Sequence, residues 1–145
     1  MIRTMRLEDL EQVEALEQQC FSDPWTLDSL RYELEGNPFS TPYVFIDDQD
    51  QTMIGYAHLW ITFEQAQLAN IAIAPQYRKQ NKGSILLKHL IEIARAQECE
   101  TMTLEVRKSN QAAIALYEKF GFSPINVVKR YYSDGEDAIL MGIGF

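Results

Sequence analysis

The stretch Pro75-Gln-Tyr-Arg-Lys-Gln-Asn-Lys-Gly-Ser84 lies between a segment that predicts a β-strand, Gln67 to Ile73, and one that predicts an α-helix, Gly83 to Ala96. The helix is predicted because its apolar residues recur with helical spacing and form one stripe. Three cations follow closely in the turn: Arg78, Lys79 and Lys82. Because free N–H groups at a helix start attract negative charge, the turn predicts an anion site, although a solvated basic turn would show the same pattern.

The segments around this turn predict an α/β fold with a mixed sheet, a single domain over residues 1–145, in the order β-α-α-β-β-β-α-β-α-β-β. Before the turn, the predicted elements are a strand Arg3 to Arg6, a helix Leu7 to Cys20 with its glutamates on the outer face, a helix Thr26 to Leu34, and strands Tyr43 to Ile46 and Met53 to Thr62. After the turn, they are a strand Thr101 to Val106, a helix Asn110 to Phe120, and strands Phe122 to Tyr132 and Ala138 to Phe145 around a hairpin turn at Ser133-Asp-Gly135. The strands before the turn follow one another through tight links and should be antiparallel. The central helical crossover implies that the strands ending at Ile73 and starting at Thr101 run parallel.

Composition and charge narrow the class of protein. The chain has 145 residues, 46% of them hydrophobic and 23% charged, with a formal net charge of −8. Residues 1–50 hold all of the excess acidity, with twelve Asp and Glu against three Lys and Arg. We therefore expect no direct binding of nucleic acid, and no membrane association, since no apolar run approaches the roughly 20 residues of a membrane span.

The N-terminal sequence and the isolated positions of the cysteines and histidines predict a cytoplasmic protein that binds no metal. The first nine residues are charged and contain no apolar stretch, so no secretory signal is predicted. The two cysteines, Cys20 and Cys99, have neither a neighbouring ligand nor a CxxC spacing, and reduced thiols are expected. His58 and His89 are isolated from other ligands and are given no function.

A strand, then Arg78-x-x-Asn81-x-Gly83, then a helix resembles the Q/R-x-x-G-x-G/A acetyl-CoA signature of the GNAT family of N-acetyltransferases. The resemblance covers essentially the whole chain, because the element order matches that of the GNAT acyl-CoA N-acyltransferase fold. It implies acetyl-CoA as the cosubstrate, with its pyrophosphate cradled by backbone amides of the turn. Asn81 replaces the family's first glycine; asparagine tolerates a positive φ, so the turn can form, but its side chain can crowd the diphosphate.

Two later blocks narrow the resemblance to one branch of the family. They are Leu104-Glu-Val-Arg-x-Ser-Asn-x-x-Ala-Ile-x-Leu-Tyr-x-x-x-Gly-Phe122 and Tyr131-Tyr-x-Asp-Gly-Glu-Asp-Ala138. They look like the branch that acetylates the N-terminal residue, an alanine, of a small-subunit ribosomal protein. Phe21-x-x-Pro24-Trp25 is similar to that branch's F-P-W region, with an altered spacing. The partner implied is the N-terminus of a ribosomal or other protein, bound by a monomer or weak dimer.

The resemblance also carries over residue roles. The resemblance implies that Glu105 is the general base, although its position alone favours a glutamate that faces solvent or pairs with Arg107. It implies that Tyr117 is the general acid, although its position alone favours a tyrosine of the core. The residues implied in cofactor binding are Ile71, Ala72, Ile73, Arg78, Lys79, Gln80, Asn81, Lys82, Gly83, Ser84 and Asn110, of which Asn110 could equally be an ordinary helix cap. The residues implied around the acceptor are Phe21, Pro24, Trp25, Tyr131, Tyr132, Glu136 and Asp137.

Two other functions remain open from the sequence. The acceptor could be a lysine or a small-molecule amine, or the chain could be a non-catalytic acyl-CoA-binding module. Direct attack by the amine requires no nucleophile from the enzyme, which agrees with two cysteines that lack an activating neighbour. The acidic first third and the basic turn further suggest that a cationic acceptor and an anionic cofactor approach opposite sides.

Overall fold

A computed structural model describes residues 1–145 as a single mixed sheet of seven strands with helices on both of its faces. The elements are β1 (Ile2–Thr4), α1 (Leu10–Cys20), α2 (Leu27–Glu35), β2 (Ser40–Ile46), β3 (Met53–Thr62), β4 (Gln65–Ile73), α3 (Lys82–Ala96), β5 (Thr101–Arg107), α4 (Gln111–Lys119), β6 (Ser123–Val128) and β7 (Ala138–Gly144), with 3₁₀ turns at Leu7–Asp9 and Pro75–Tyr77. The strand order is β1-β2-β3-β4-β5-β7-β6. The predicted α/β class and element order are confirmed. No helix combines the length and the apolarity needed to cross a membrane.

Two apolar cores lie on the two faces of this sheet. Alternation along β2 sends Tyr43 and Phe45 to one core and Val44 and Ile46 to the other. The first core also contains the apolar stripe of α3, and the second contains the inner residues of α1 and α2. The helices that follow the basic turn and those of the acidic first third are therefore on opposite sides of the sheet.

The strand pairing explains where the sheet opens. β3 is antiparallel to β2 and to β4, and β4 is parallel to β5, as predicted. The parallel pairing covers only four residue pairs and ends at Leu68 and Leu104. Beyond that point β4 continues to Ile73 along β3, and β5 continues to Arg107 along β7, without pairing with each other. The two central strands therefore separate towards their carboxyl ends.

A β-bulge coincides with this separation. His58 of β3 faces Asn70, and the next residue, Leu59, faces Leu68, so Ala69 of β4 has no partner. An unpaired extra residue bends its strand and increases the local twist. The bulge thus lies at the position where β4 leaves β5.

The structure corrects the predicted boundaries at both ends of the chain. The first strand ends at Thr4 rather than at Arg6, because the Arg6 N–H donates to the Asp9 carboxylate at 2.8 Å and caps the following turn. The sixth strand ends at Val128 rather than at Tyr132, because Arg130 has a φ of 52° and donates its N–H to Asp137. The last two strands are therefore joined by a loop over residues 129–137 and not by a tight hairpin turn.

Candidate functional site

The separation of β4 and β5 creates a cleft of about 570 Å³. Its floor consists of residues from the ends of the two strands, and its walls come from the α1–α2 loop, the start of α4 and the loop between β6 and β7. Among the residues that line it are predicted site residues from every part of the chain except the basic turn: Phe21, Trp25, Ile71, Glu105, Asn110, Tyr117, Tyr131 and Tyr132. The fold therefore brings residues far apart in sequence into one concave site.

The basic turn offers a row of unoccupied hydrogen-bond donors. None of the backbone N–H groups of residues 79–84 donates a hydrogen bond within the chain. Lys79 and Asn81 adopt left-handed φ values of 61° and 65°, and α3 starts directly afterwards. Successive free N–H groups at a helix start form a concave anion site. The expectation that asparagine accepts a positive φ here is confirmed.

The charges of this turn have two different roles. The Arg78 Nε donates to the Ile73 carbonyl at 3.0 Å, which holds the turn against the end of β4. Lys79 and Lys82 form no ion pair with any carboxylate of the chain and can attract an external anion. This arrangement fits the diphosphate of an acyl-CoA.

Gly83 gives the cofactor side of the site a close packing contact. A Cβ placed on it would lie 3.3 Å from the Leu116 Cδ2 atom of α4. Glycine therefore allows the first turn of α3 to approach α4, the helix that carries Tyr117. The basic turn and the general-acid candidate are thus held by the same pair of helices.

The backbone of β4 adds free polar groups on the side of the opening. The Ala74 N–H donates to Ile54 of β3, and backbone groups alternate in direction along a strand. Ile71 and Ile73 therefore direct their N–H and C=O groups away from β3, towards the space that β5 has left. Ala72 is buried in the second core and directs its backbone towards Tyr56 of β3. Of the three predicted positions on β4, Ile71 thus has both backbone groups free, whereas Ile73 has only its N–H free, because its carbonyl accepts from the Arg78 Nε.

Tyr117 and Glu105 face the cleft from different elements. Tyr117 is buried on α4, and burial raises the pKa of its hydroxyl to about 12. It therefore keeps its proton at neutral pH and suits the role of a proton donor. Glu105 lies half-buried on β5 and forms no ion pair or hydrogen bond within the chain. The alternative in which Glu105 pairs with Arg107 is not observed, which leaves its carboxylate free.

The position of Asn110 is compatible with both predicted roles, a helix cap and a contact to the cofactor. Its Oδ1 accepts a hydrogen bond from the Ala113 N–H at 3.2 Å, which makes it the N-cap of α4. It also lines the cleft. The capping bond fixes its side chain at the cleft wall.

Arg107 joins the two loops that border the cleft. Its guanidinium donates to Asp134 and to Glu136, both at 2.9 Å, and to the Ser22 hydroxyl at 3.2 Å. Its Cζ also lies 4.0 Å from the centre of the Tyr132 ring. Ser22 belongs to the α1–α2 loop and the other three residues to the β6–β7 loop, so we call this set the Arg107 clamp.

The clamp explains the positions of the two predicted acidic acceptor residues. Glu136 also accepts from the Ser109 N–H at 2.9 Å, and these hydrogen bonds with Ser109 and Arg107 lower its pKa to about 2. Asp137 accepts from the Arg130 N–H, which lowers its pKa. Neither side chain lines the cleft. The structure places both of them in the framework of the loop rather than against an acceptor.

The aromatic residues stand on both sides of the opening. Phe21 and Trp25 line the cleft from the α1–α2 loop, whereas Tyr131 and Tyr132 line it from the β6–β7 loop, with their rings 5.0 Å apart. Burial raises the pKa of Tyr132 to about 12. Pro24 is not among the residues that line the cleft.

Glu17 is buried beside the cleft and not on the outer face of α1, where the glutamates of this helix are predicted. It is 1% exposed and accepts hydrogen bonds from the Trp25 N–H at 2.8 Å, the Tyr56 hydroxyl at 2.8 Å and the Asn70 amide at 2.6 Å. These bonds tie the α1–α2 loop to the sheet beside the bulge. The signal was present in the sequence, because Glu17 shares the helical stripe of Leu10 and Val13.

Cys20 has a charged neighbour that the sequence did not reveal. Its Sγ lies 3.3 Å from an Arg78 guanidinium nitrogen and lines the cleft. Burial nevertheless raises the pKa of the thiol, and this effect exceeds the opposite effect of Arg78. Cys20 and Cys99 are both free thiols, as expected.

Comparisons with known proteins agree with this geometry. Residues 10–122 match the family model described as the acetyltransferase (GNAT) family. A Bacillus subtilis protein, provisionally named a ribosomal protein bS18-alanine N-acetyltransferase, is 41% identical over 143 residues, which cover 98% of this chain and 93% of that protein. The Escherichia coli protein of that name is 35% identical over 98% of this chain and 95% of its own length.

A solved structure gives the same result for the fold. The crystal structure of the ribosomal-protein-S18-alanine N-acetyltransferase from Escherichia coli superposes with a TM-score of 0.89 at 33% sequence identity. The match covers 99% of this chain and 92% of that one.

Asn81 provides a test of the anion turn. We expect Asn81→Gly to leave the free energy of unfolding within about 0.5 kcal/mol and Asn81→Ala to lower it by about 1 kcal/mol, because an alanine Cβ is strained at this φ. We also expect Asn81→Gly to lower the Kd for coenzyme A about threefold, since nothing then crowds the diphosphate. Urea unfolding and calorimetry measure both quantities. Equal stability and equal affinity in the two variants would contradict this account of the turn.

The Arg107 clamp predicts a separation of kinetic effects. In Arg107→Met the two loops lose their link, and we expect the KM for the acceptor to rise on the order of tenfold with an unchanged Kd for coenzyme A. Arg107→Lys should resemble it, since one ammonium cannot bridge these partners. The matched control is Arg31→Met, because Arg31 is exposed and lies on α2, outside the cleft lining. An acceptor KM that stays at the wild-type value would refute the clamp.

Proposed function

Because residues 10–122 match its model, this chain belongs to the acetyltransferase (GNAT) family, and we propose that it transfers the acetyl group of acetyl-CoA to the α-amino group at the N-terminus of ribosomal protein bS18. Enzymes of this family use acetyl-CoA. Relatives named for the bS18 reaction align over nearly the whole chain and support the choice of acceptor. The single observation that carries the proposal is the cleft that both Glu105 and Tyr117 line. The turn with six free N–H groups precedes α3, which packs against α4, the helix of Tyr117.

We propose that the acceptor enters between the two aromatic loops. The amine of a protein N-terminus has an ordinary pKa of about 8, against about 10.4 for a lysine, so less driving force is needed to remove its proton. The free carboxylate of Glu105 accepts that proton, directly or through one water. Phe21 and Trp25 on one side and Tyr131 and Tyr132 on the other exclude solvent and orient the first residue of the acceptor.

The cofactor side is assigned to the opposite face of the opening. The N–H groups of residues 79–84, with Lys79 and Lys82, hold the diphosphate, and Ile71 and Ile73 supply backbone hydrogen bonds along β4. Acetyl-CoA, when bound, supplies an activated thioester carbonyl. The N–C bond forms as the C–S bond breaks, and Tyr117 donates its proton to the leaving sulfur. No nucleophile of the enzyme takes part, in agreement with the raised pKa of Cys20.

We further propose that residues 1–145 act as a single domain. The two cores share one continuous sheet, and the cleft takes residues from α1 through the β6–β7 loop. Each half of the chain alone would leave one side of the cleft open.

The catalytic assignments predict large losses of turnover in two isosteric variants. We expect Glu105→Gln and Tyr117→Phe each to lower kcat by on the order of 10²–10⁴-fold with little change in the melting temperature. Glu118→Gln, the exposed neighbour on α4, serves as the control and should retain wild-type activity. Turnover near that of the wild type in both catalytic variants would refute this mechanism.

Tyr117 also predicts the alkaline side of the pH profile. Because its pKa is raised to about 12, Tyr117 remains protonated well above pH 10, where an ordinary tyrosine has lost half of its protons. We expect kcat/KM to rise through the pKa of the acceptor amine, near pH 8, and then to stay level up to pH 10. A decline centred near pH 10 in the wild type that is missing in Tyr117→Phe would show that Tyr117 titrates as an ordinary tyrosine and would contradict its raised pKa.

The acceptor itself is tested with a panel of substrates. The panel contains an N-terminal bS18 peptide, the same peptide with a blocked N-terminus and an internal lysine, and a polyamine. Mass spectrometry should detect acetylation of the free N-terminus at the highest kcat/KM. A preference for the lysine or the polyamine would assign another acceptor to the same fold.

A further inference from the structure

A second pocket of about 250 Å³ lies on the sheet beside the cleft. Its floor is a row of three residues in register across neighbouring strands, Trp60 of β3, Gln67 of β4 and Thr103 of β5. Phe39, from the segment between α2 and β2, lines it as well and is 51% exposed. We call it the Trp60 pocket.

The Trp60 pocket is continuous with the cleft. Trp60 and Gln67 line both cavities. Thr103 precedes Glu105 by two residues on the same strand, so both side chains lie on one face of the sheet, roughly 7 Å apart along β5. A chain whose amine is at Glu105 can therefore place a later side chain in the pocket.

A buried carboxylate lies next to one wall of this pocket. Glu33 of α2 is 6% exposed and accepts hydrogen bonds from the Trp60 Nε1 and the Asn37 amide, both of them neutral donors. No Lys or Arg side chain pairs with Glu33, and no cationic side chain lines the pocket. Glu33 thus has no cationic partner within the chain, and a buried carboxyl group of this kind favours a cation nearby.

The other lining groups match a cation with several N–H donors. The side chains of Thr62, Gln65, Gln67 and Thr103 form no hydrogen bond within the chain, so their oxygens are free to accept. The rings of Trp60 and Phe39 offer faces on which a guanidinium can stack.

We propose that the Trp60 pocket binds a basic side chain, arginine above all, at the second or third residue of the acceptor polypeptide. The proposal rests on the proposed function, because it assumes an N-terminal amine at Glu105. An extended chain advances about 3.3 Å per residue, so the second or third residue lies within reach of Thr103. Glu33 belongs to the acidic first third of the chain, so the pocket is one specific place where that acidity can attract a basic side chain.

The test uses peptides of one length that begin with alanine and carry a single arginine in an otherwise neutral sequence. We expect arginine at position 2 or 3 to raise kcat/KM about tenfold, through KM, over arginine at position 8 or citrulline at the same position. Glu33→Gln and Gln65→Ala, neither of which changes a residue that lines the cleft, should abolish this preference while the citrulline peptide is acetylated at an unchanged rate. Glu35→Gln, which removes an exposed carboxylate of the same helix, is the matched control and should keep it.

A further variant leaves α2 unchanged and therefore tests the pocket even if Glu33→Gln disturbs the folding of that helix. Thr103→Lys places a positive charge in the pocket without changing Glu33 and should reverse the preference, so that the citrulline peptide becomes the better substrate. A kcat/KM that does not depend on the arginine, or a preference that survives Glu33→Gln, Gln65→Ala and Thr103→Lys, would overturn the proposal.

The proposed function is judged separately from the pocket. Acetylation of the citrulline peptide by the wild type reports on the N-terminal activity alone. Calorimetric binding of peptides that are already Nα-acetylated, with arginine or citrulline at position 3, reports on the pocket alone. Equal affinity for these two peptides would overturn the pocket even if the enzyme acetylates every N-terminus.

Discussion

The separation of β4 from β5 is the constraint on which the rest of the site depends. Two parallel strands that paired along their whole length would satisfy their backbone groups and leave no opening. Here the pairing ends at Leu68 and Leu104, and the bulge at Ala69 turns β4 away. The same event frees backbone groups of β4 for a ligand and exposes Glu105 on β5. In the proposed reaction, cofactor and acceptor meet at this opening, each from its own side of the sheet.

The loops around the opening are held by charged groups to which the proposed mechanism gives no chemical step. Glu17 fixes the α1–α2 loop through the Trp25 N–H, and the Arg107 clamp ties this loop to the β6–β7 loop. Charge-assisted hydrogen bonds of this kind are directional and rigidify the groups they join. The buried carboxyl groups of Glu17 and Glu33 accept from neutral donors and lie on the face of the sheet that α1 and α2 cover.

The sequence predicted the parts of the site that depend on local rules. The order of strands and helices, the parallel crossover and the left-handed conformation at Asn81 follow from periodicity, loop length and the properties of asparagine, and the structure confirms them. The roles of Glu105 and Tyr117 came from the resemblance to a family and stay proposals, although both side chains face one cleft.

The sequence could not predict the parts that depend on distant partners. Glu136 was expected near the acceptor, but its partner Arg107 is 29 residues away, and only the folded loop brings them together. The end of β6 depends in the same way on the contact between Arg130 and Asp137. The burial of Glu17 does not follow from its place on the apolar stripe alone, because it depends on three hydrogen-bond donors that only the fold brings to it.

Amide hydrogen exchange with and without coenzyme A tests the central claim most directly. The N–H groups of residues 79–84 have no partner within the chain and should exchange quickly in the free protein. The account predicts that coenzyme A slows exchange at these residues and at Ile71 and Ile73, whereas the α1–α2 loop on the other side of the sheet changes little. Protection confined to the α1–α2 and β6–β7 loops, with residues 79–84 unaffected, would contradict it.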